Sequence, residues 1–297
     1  MGNPRGDSPL FSVLMSTYNR ADRLPLAIRS IVKQQYPHWE LILVNDGGED
    51  VSRIANSFLS KRITLLNFED NKGKSAAINE AFRHAKGEFI AYLDDDDQWL
   101  PNHLRTHFER YDLNPEAMFH HSDTHRIVLE RDRRGNEKEA SRNLLYDAPV
   151  GFRDFIARNR ITWLSVTHRR ECFAAVGGLD ERLRILVDFD LWRRMAARYE
   201  FHHIPEHTGD YFIHRQIDGQ MTGLVRKDPL AFLYANALIQ RKAVPPDLAR
   251  LHSEELSAAR QKAYVDFLTA RAEEFHSRGN ERRRNAALSL AAKIRGR

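Results

Sequence analysis

The sequence predicts an α/β domain on a mostly parallel sheet followed by a helical extension, and three features of the 297-residue chain carry that expectation. Short apolar runs each end in a polar, turn-forming cluster. Segments with helical spacing lie between those runs. The alternation repeats about four times before residue 110 and gives way to helix-only patterning from Pro229 onward, as successive βα units followed by a bundle of helices would read.

The first run, LFSVLMS at residues 10–16, ends at Thr17, Tyr18, Asn19 and Arg20. The next, Leu41–Val44, ends at Asn45, Asp46, Gly47 and Gly48. Ile63–Asn67 leads into a polar loop reaching Lys74, and Glu88–Leu93 runs into four consecutive aspartates. Short apolar runs suit buried parallel strands. Between them Leu24, Ile28, Ile31 and Val32 form one helical stripe, and Ala76, Ala77, Glu80, Ala81 and His84 lie in another helix. Farther on, Met118–Leu129 reads as a strand broken by polar side chains, with Glu130–Arg142 as an exposed hairpin or loop. Phe152–Asn159 is a short helix, Thr162–His168 a strand, and Arg169–Val176 a helix closed by the Gly177–Gly178 turn. Asp188–Tyr199 is helical with Leu191, Met195 and Tyr199 on one face, and Tyr211–His214 is a last strand. Beyond the boundary placed near residue 225, helices are expected over Leu230–Arg241, Leu248–Phe275 and Arg282–Ile294, interrupted at Pro245–Pro246 and Gly279.

Polar residues follow the C-terminal end of each apolar run. In open α/β sheets that edge is where ligands bind, because helix N-termini and free loop amides converge there. Tyr18, Asp46, Lys74 and Asp94–Asp97 are therefore expected to meet in space. Four adjacent carboxylates repel one another and need solvent, a cation or donors. In extended geometry Asp94 and Asp96 share a side, which suits a hard divalent ion that also takes diphosphate oxygens; the plainer reading is an acidic loop capping the helix near Pro101. Asp46 is either a turn residue or an acceptor for a base or ribose. Asn71, Gly73 and Lys74 resemble a phosphate-facing loop entering a helix, although no Walker motif is present. Of Asp188 and Asp190, one reads as a helix cap and the other as a general base, since residues two apart do not share a helix face. His120–His121 and His202–His203 resemble ligand pairs, but there is no HExxH and no accompanying thiolate. Most histidines are read as polar surface or packing residues.

Taken in order, SVLMSTYNR, VNDGG, GKSAAIN, YLDDDDQW, the Gly177–Gly178–Leu179–Asp180 turn, VDFDLW and YFIH resemble glycosyltransferase family 2, over roughly residues 10–215. The resemblance implies a GT-A fold, an inverting transfer from a nucleotide-diphosphate sugar (UDP-sugar favoured), and Mn²⁺ or Mg²⁺ as cofactor. It places Thr17, Tyr18, Arg20, Asp46, Asn71, Gly73, Lys74, Asp94 and Asp95 with the nucleotide. Asp96 is the implied metal ligand, His214 falls near the diphosphate and metal, and Asp188 is the implied general base. Two positions depart from the family pattern. Val187 stands where a glutamate usually precedes the base, and Ile78 where many relatives carry arginine.

Composition narrows the alternatives. With 42% hydrophobic and 29% charged residues the chain is neither disordered nor collagen-like. A single cysteine, Cys172, excludes an intrachain disulfide and a four-thiolate zinc site. No run of about 18 apolar residues is present, and MGNPRGDSP lacks the apolar core of a secretory signal, so residues 1–9 are expected to be a flexible leader and the location cytoplasmic. The net charge of +5 is concentrated at the end: residues 278–297 hold seven Arg or Lys against Glu281 alone. That leaves the 10–225 domain near neutral, and without an aromatic platform beside the basic cluster nucleic acid is not expected as a partner. The 226–297 region, with Arg282, Arg283 and Arg284 beside an incomplete apolar face, is expected to reach an anionic membrane surface, dock on the protein body or self-associate; the plainer reading is a solvated, partly frayed terminal helix. The acceptor is a glycan, a lipid-linked molecule, a protein or a small molecule. A nucleotidyltransferase and a non-catalytic nucleotide-sugar-binding scaffold are the competing readings.

Overall fold

Strand β1 (Phe11–Thr17) is buried along almost its whole length, as a strand covered on both faces must be. It is flanked in parallel by β2 (Trp39–Asn45) and β4 (Phe89–Tyr92), and β3 (Ile63–Asn67) pairs in parallel with β2. A computed structural model describes residues 9–132, 136–155, 159–214, 235, 239, 242 and 253–295. Its sheet runs in the order β3-β2-β1-β4-β8-β6-β9-β5, with β7 paired to β6. Beyond β4 the pairing is mixed. β8 (Val166–Arg169) is antiparallel to both β4 and β6 (Phe119–Arg131), β9 (Phe201–His214) is parallel to β6, and β5 (Gln98–Trp99) and β7 (Glu137–Leu145) are antiparallel additions.

The crossover helices appear where the spacing predicts them. Helix α1 (Leu24–Val32) buries Leu24, Ile28 and Ile31, while α3 (Lys74–His84) buries Ala76, Ala77, Ile78 and Ala81. The short α2 (Ser52–Ser57), α4 (His103–Leu113) and α5 (Arg170–Ala175) complete the set around the sheet. One apolar cluster runs through Phe11, Val13, Met15, Leu41, Phe89, Trp99 and Leu164.

By compactness the chain divides into two units. The first holds Met1–Val150, Arg160–Arg184 and Tyr199–Gln216; the second holds Gly151–Asn159, Ile185–Arg198 and Ile217–Arg297. Among the described residues, all nine strands of the sheet belong to the first. The second contains α6 (Val187–Ala196), α7 (Ser253–Ser277) and α8 (Glu281–Arg295). Gly279, at φ +67°, closes the turn between α7 and α8, with the Asn280 N–H donating to the Phe275 carbonyl at 2.8 Å. Ala287 and Ala291 of α8 pack with Val265, Leu268, Ala272 and Phe275 of α7, and Leu290 and Ile294 lie against the same cluster. Much of the incomplete apolar face of the tail is thus covered by its own neighbouring helix, with Leu288 left exposed.

Several expected boundaries move. Thr162–His168 begins as a 3-10 turn, Trp163–Ser165, before β8 starts, and Phe152–Phe155 is likewise a 3-10 turn. Helix α6 stops at Ala196, so Tyr199 lies outside it; the Arg198 N–H closes onto the Met195 carbonyl at 2.8 Å in a tighter turn. The last strand begins ten residues before Tyr211. Its polar sequence and Pro205 hide it, and Pro205 falls where the register with β6 shifts, the place a residue without N–H is tolerated in a sheet. The histidines are packing residues more than surface ones: His103, His107, His120, His121 and His168 are all buried. Residues 1–8 of the leader, the boundary near 225, most of Leu230–Arg241, Pro245–Pro246 and Arg297 lie outside the described residues.

Candidate active site

The site in the first unit is assembled at the C-terminal ends of β1, β2 and β4. β1 ends with Thr17, which is buried, and Tyr18, which is 46% exposed. Asn19 then takes φ +52°, a conformation Asn tolerates better than most residues, and its side-chain oxygen accepts the Glu49 N–H at 2.9 Å. The turn presents Arg20 to the aspartate run. Its Nη1 donates to Asp95 Oδ1 at 2.8 Å and to Asp96 Oδ2 at 2.9 Å. Burial works against the guanidinium's charge, yet the facing carboxylates of Asp95 and Asp96 hold its pKa above the ordinary value.

Asp46, at the end of β2, is buried and uses both carboxylate oxygens on the loop before α3. Oδ1 accepts the Lys72 N–H at 2.7 Å and Oδ2 the Gly73 N–H at 2.9 Å. Burial raises its pKa and the two amides oppose that rise. A Cβ on Gly47 would come within 2.3 Å of the Asp70 carbonyl carbon, so this loop closes down on a glycine. The loop carries Asn71, which is exposed, and delivers Lys74 at the start of α3. Lys74 Nζ lies 2.5 and 2.8 Å from the two carboxylate oxygens of Asp94 and 4.6 Å from the centroid of the Trp163 ring.

The aspartates do not continue the strand: Asp95 and Asp96 form a turn, with the Asp97 N–H reaching the Asp94 carbonyl at 3.2 Å. The expected alternation survives in their burial. Asp95 and Asp97 are buried, whereas Asp94 and Asp96 keep partial access to solvent. Burial raises the Asp95 pKa to about 6 against the pull of Arg20. It raises Asp97 well above the carboxylate range, helped by Asp96 and Asp94 and opposed by the Phe212 N–H, which donates to Asp97 Oδ1 at 2.9 Å. That bond ties the run to β9. Carboxylate oxygens of Asp94, Asp96 and Asp97 lie within 4.8 Å of one another, a hard oxygen donor set of the kind Mg²⁺ or Mn²⁺ takes.

His214, at the end of β9, lines the same cleft as Asp96, together with Arg23, Asp97, Glu137 and Phe212. Its Nδ1 is 3.2 Å from Glu137 Oε1, and Glu137 is itself gripped by both terminal nitrogens of Arg23. Burial, then Arg23, lowers the His214 pKa, leaving a neutral ring. Neither Glu137 nor Trp163 has a local sequence signal. Glu137 arrives only because the β6–β7 hairpin folds back, and Trp163 sits on an unpredicted 3-10 turn.

In the second unit, Asp188 and Asp190 differ in their surroundings, but neither is the helix cap expected from the sequence: both lie in the first turn of α6, and the N-cap position is Leu186, in the left-handed region at φ +58°. Asp190 is 1% exposed, 2.8 Å from Arg194 Nη2 and 2.6 Å from Lys242 Nζ. Asp188 is half-buried; Oδ2 accepts Asn159 Nδ2 at 2.7 Å and Oδ1 the Phe189 N–H at 2.8 Å. Val187 is buried, and Ile78 in the first unit is fully so, which accounts for an apolar residue at each of those two positions.

The family described as "Glycosyl transferase family 2" matches residues 12–172. A putative colanic acid biosynthesis glycosyl transferase, WcaA of Escherichia coli K12, is 31% identical over 202 residues, 65% of this chain and 68% of that protein. An Escherichia coli UDP-Glc:alpha-D-GlcNAc-diphosphoundecaprenol beta-1,3-glucosyltransferase, WfgD, is 40% identical over 99 residues, covering 33% of this chain and 39% of its own length. Among solved structures, S. aureus TarS 1-349 in complex with UDP superposes with a TM-score of 0.58 at 17% identity over 88% of this chain and 71% of that one. The mannosyltransferase PcManGT from Pyrobaculum calidifontis in complex with GDP-Man and Mn²⁺ does so with a TM-score of 0.56 at 20% identity, over 97% of this chain and 87% of that one. Both structural likenesses speak to the fold.

Proposed function

The chain belongs to glycosyl transferase family 2 and is a glycosyltransferase, and from that premise we propose that it moves a sugar from a UDP-sugar to an acceptor hydroxyl with inversion at the anomeric carbon. The observation that carries this reading is the convergence of Arg20, Asp46, Lys74 and Asp94–Asp97 at one sheet edge, with His214 and Asp96 lining one cleft. The UDP preference draws on WfgD, named for UDP-Glc, and the same name favours a lipid-linked acceptor in bacterial glycan synthesis. Residues 10–225 would form the catalytic region and 226–297 a helical extension.

In this account Thr17, Tyr18 and Asp46 border the nucleotide, and the loop through Asn71, Gly73 and Lys74 faces the diphosphate. Asp96, with His214 and the neighbouring carboxylates, would hold Mn²⁺ or Mg²⁺. When bound, that ion offsets the negative charge that grows on the departing diphosphate. Arg20 and Lys74 orient the aspartates through their ion pairs. Asp188 accepts the proton of the acceptor hydroxyl as its oxygen attacks, and Asn159 orients that carboxylate. Asp190, held by Arg194 and Lys242, has the structural part. The exposed basic side chains of α8 would draw the protein to an anionic membrane surface on the cytoplasmic side by charge, because Ala287, Leu290, Ala291 and Ile294 already pack on α7 and leave Leu288 as its exposed large apolar side chain.

Asp96→Ala tests the assignment: the variant should keep its fold and its melting transition while sugar transfer collapses, and excess chelator should do the same to the wild-type chain. Full transfer in chelator, or an unimpaired Asp96→Ala protein, would overturn the metal role.

A further inference from the structure

A second cluster of ligand-type side chains lies on the sheet away from the aspartate run. His125 of β6 and His207 and Asp210 of β9 each offer one atom within 4.8 Å of the others. His207 Nε2 is 2.8 Å from Asp210 Oδ1, His125 Nδ1 is 4.0 Å from the same oxygen, and the two imidazole rings are 3.8 Å apart. All three remain partly accessible.

The backbone builds this arrangement. Residues three apart on a regular strand point to opposite faces. In β9, however, His207 pairs with Asp123, Gly209 with Thr124 and Asp210 with His125, so Thr208 is an extra residue in the ladder. This bulge turns His207 onto the face of His125 and Asp210, and bulges recur where a strand must re-aim a side chain. Thr208 itself is buried on hydrogen bonds to His103 Nδ1 at 2.7 Å and Ser122 Oγ at 2.6 Å, which lock the bulge in place. His125 Nδ1 is buried and makes no hydrogen bond among the described residues, although it faces Asp210. A buried ring nitrogen in that condition is costly unless something accepts or ligates it.

We propose that His125, His207 and Asp210 form a site for a late first-row divalent cation of the zinc class, separate from the ion expected at Asp96. Two imidazoles and one carboxylate suit zinc, nickel or copper and disfavour magnesium. His207 Nε2 is also 3.1 Å from the Gly209 carbonyl, a contact given up when that nitrogen binds an ion. The Arg142 guanidinium, 3.5 Å from Asp210 and paired with Glu139 at 2.9 Å, is the cation an incoming ion displaces. The ion would clamp β6 to β9, the two strands whose far ends carry Leu129 and His214 into the cleft.

The test is titration of the metal-free full chain with Co²⁺, the spectroscopic stand-in for zinc, without nucleotide sugar and in millimolar Mg²⁺. One equivalent should bind with visible ligand-field bands. The bands should persist in Asp96→Ala, and binding should weaken at least about 100-fold in the His125→Gln/His207→Gln variant, since even outer partners of a metal ligand are worth 10–100-fold. Arg142→Gln should tighten binding. X-ray absorption of the zinc-loaded wild-type chain keeps the question decidable if the double variant fails to fold: two imidazoles in the shell support the site, and an oxygen-dominated shell overturns it. Absence of cobalt binding by the wild-type chain, or bands lost in Asp96→Ala and kept in the double histidine variant, would also overturn it.

Discussion

At the scale of single residues, the proposal assigns chemistry to one aspartate of α6 and structure to the other. Asp188→Asn should leave donor binding intact and slow the chemical step by roughly 10²–10⁴-fold, the usual contribution of a positioned acid–base group; single-turnover rates with saturating donor check it. Asp190→Asn removes one member of a buried ion cluster and should destabilise the fold by about 3–5 kcal/mol, read from denaturant unfolding. If Asp190→Asn instead abolishes turnover while Asp188→Asn is nearly normal, the two roles are exchanged. That the two aspartates meet different surroundings was legible in the sequence, because residues two apart on a helix do not share a face; that neither caps the helix was not. Glu137 was not legible: its contact with His214 spans 77 positions and depends on a hairpin whose pairing no local pattern encodes. Nor did the spacing reveal that both oxygens of Asp46 hold the Lys72–Gly73 loop, which merges its turn role with its place at the site.

At the scale of elements, β1 to β4 and their helices follow from short-range periodicity, since each is an apolar run or stripe bounded by turn residues. β9 does not, because a strand paired on both sides yet rich in histidine and interrupted by Pro205 looks polar until its partners are present. The Gly177–Gly178 turn shows how elements are fastened. Gly178 has φ +69°, and a Cβ there would lie 2.8 Å from Asn79 Oδ1, the atom that accepts the Leu179 N–H at 2.9 Å. Gly178→Ala should therefore cost about 2–3 kcal/mol, combining left-handed strain with a weakened hydrogen bond. A melting temperature equal to that of the wild type would contradict the fastening role. In α8, replacing Arg282, Arg283 and Arg284 by glutamine should leave the helix packed on α7 and abolish salt-sensitive binding to anionic vesicles. Unchanged vesicle binding would remove the membrane proposal without touching the catalytic one.

At the scale of the whole molecule, buried histidines make stability depend on pH. Burial lowers the pKa of His103, His120 and His121 to about 3 and that of His168 to about 4, whereas in the unfolded chain each titrates near 6.5. Between those values the unfolded state binds more protons, so stability is complete above pH 6.5 and falls as the pH drops toward 4. Each group contributes a slope of up to about 1.4 kcal/mol per pH unit. Calorimetry from pH 7.5 to 4.5 should show a steadily falling melting temperature, and a flat profile would refute the assignment of neutral buried rings. The α/β class and the aspartate-rich sheet edge could be read from the chain because both are repeated local patterns. The mixed half of the sheet could not, because antiparallel and parallel partners there are joined by long-range register. The central claim is sugar transfer by displacement at the anomeric carbon, and its most direct measurement is NMR of the product formed from a UDP-sugar, Mn²⁺ and a lipid-linked acceptor. An α-linked donor should yield a β-linked product; an α-linked product would contradict direct displacement.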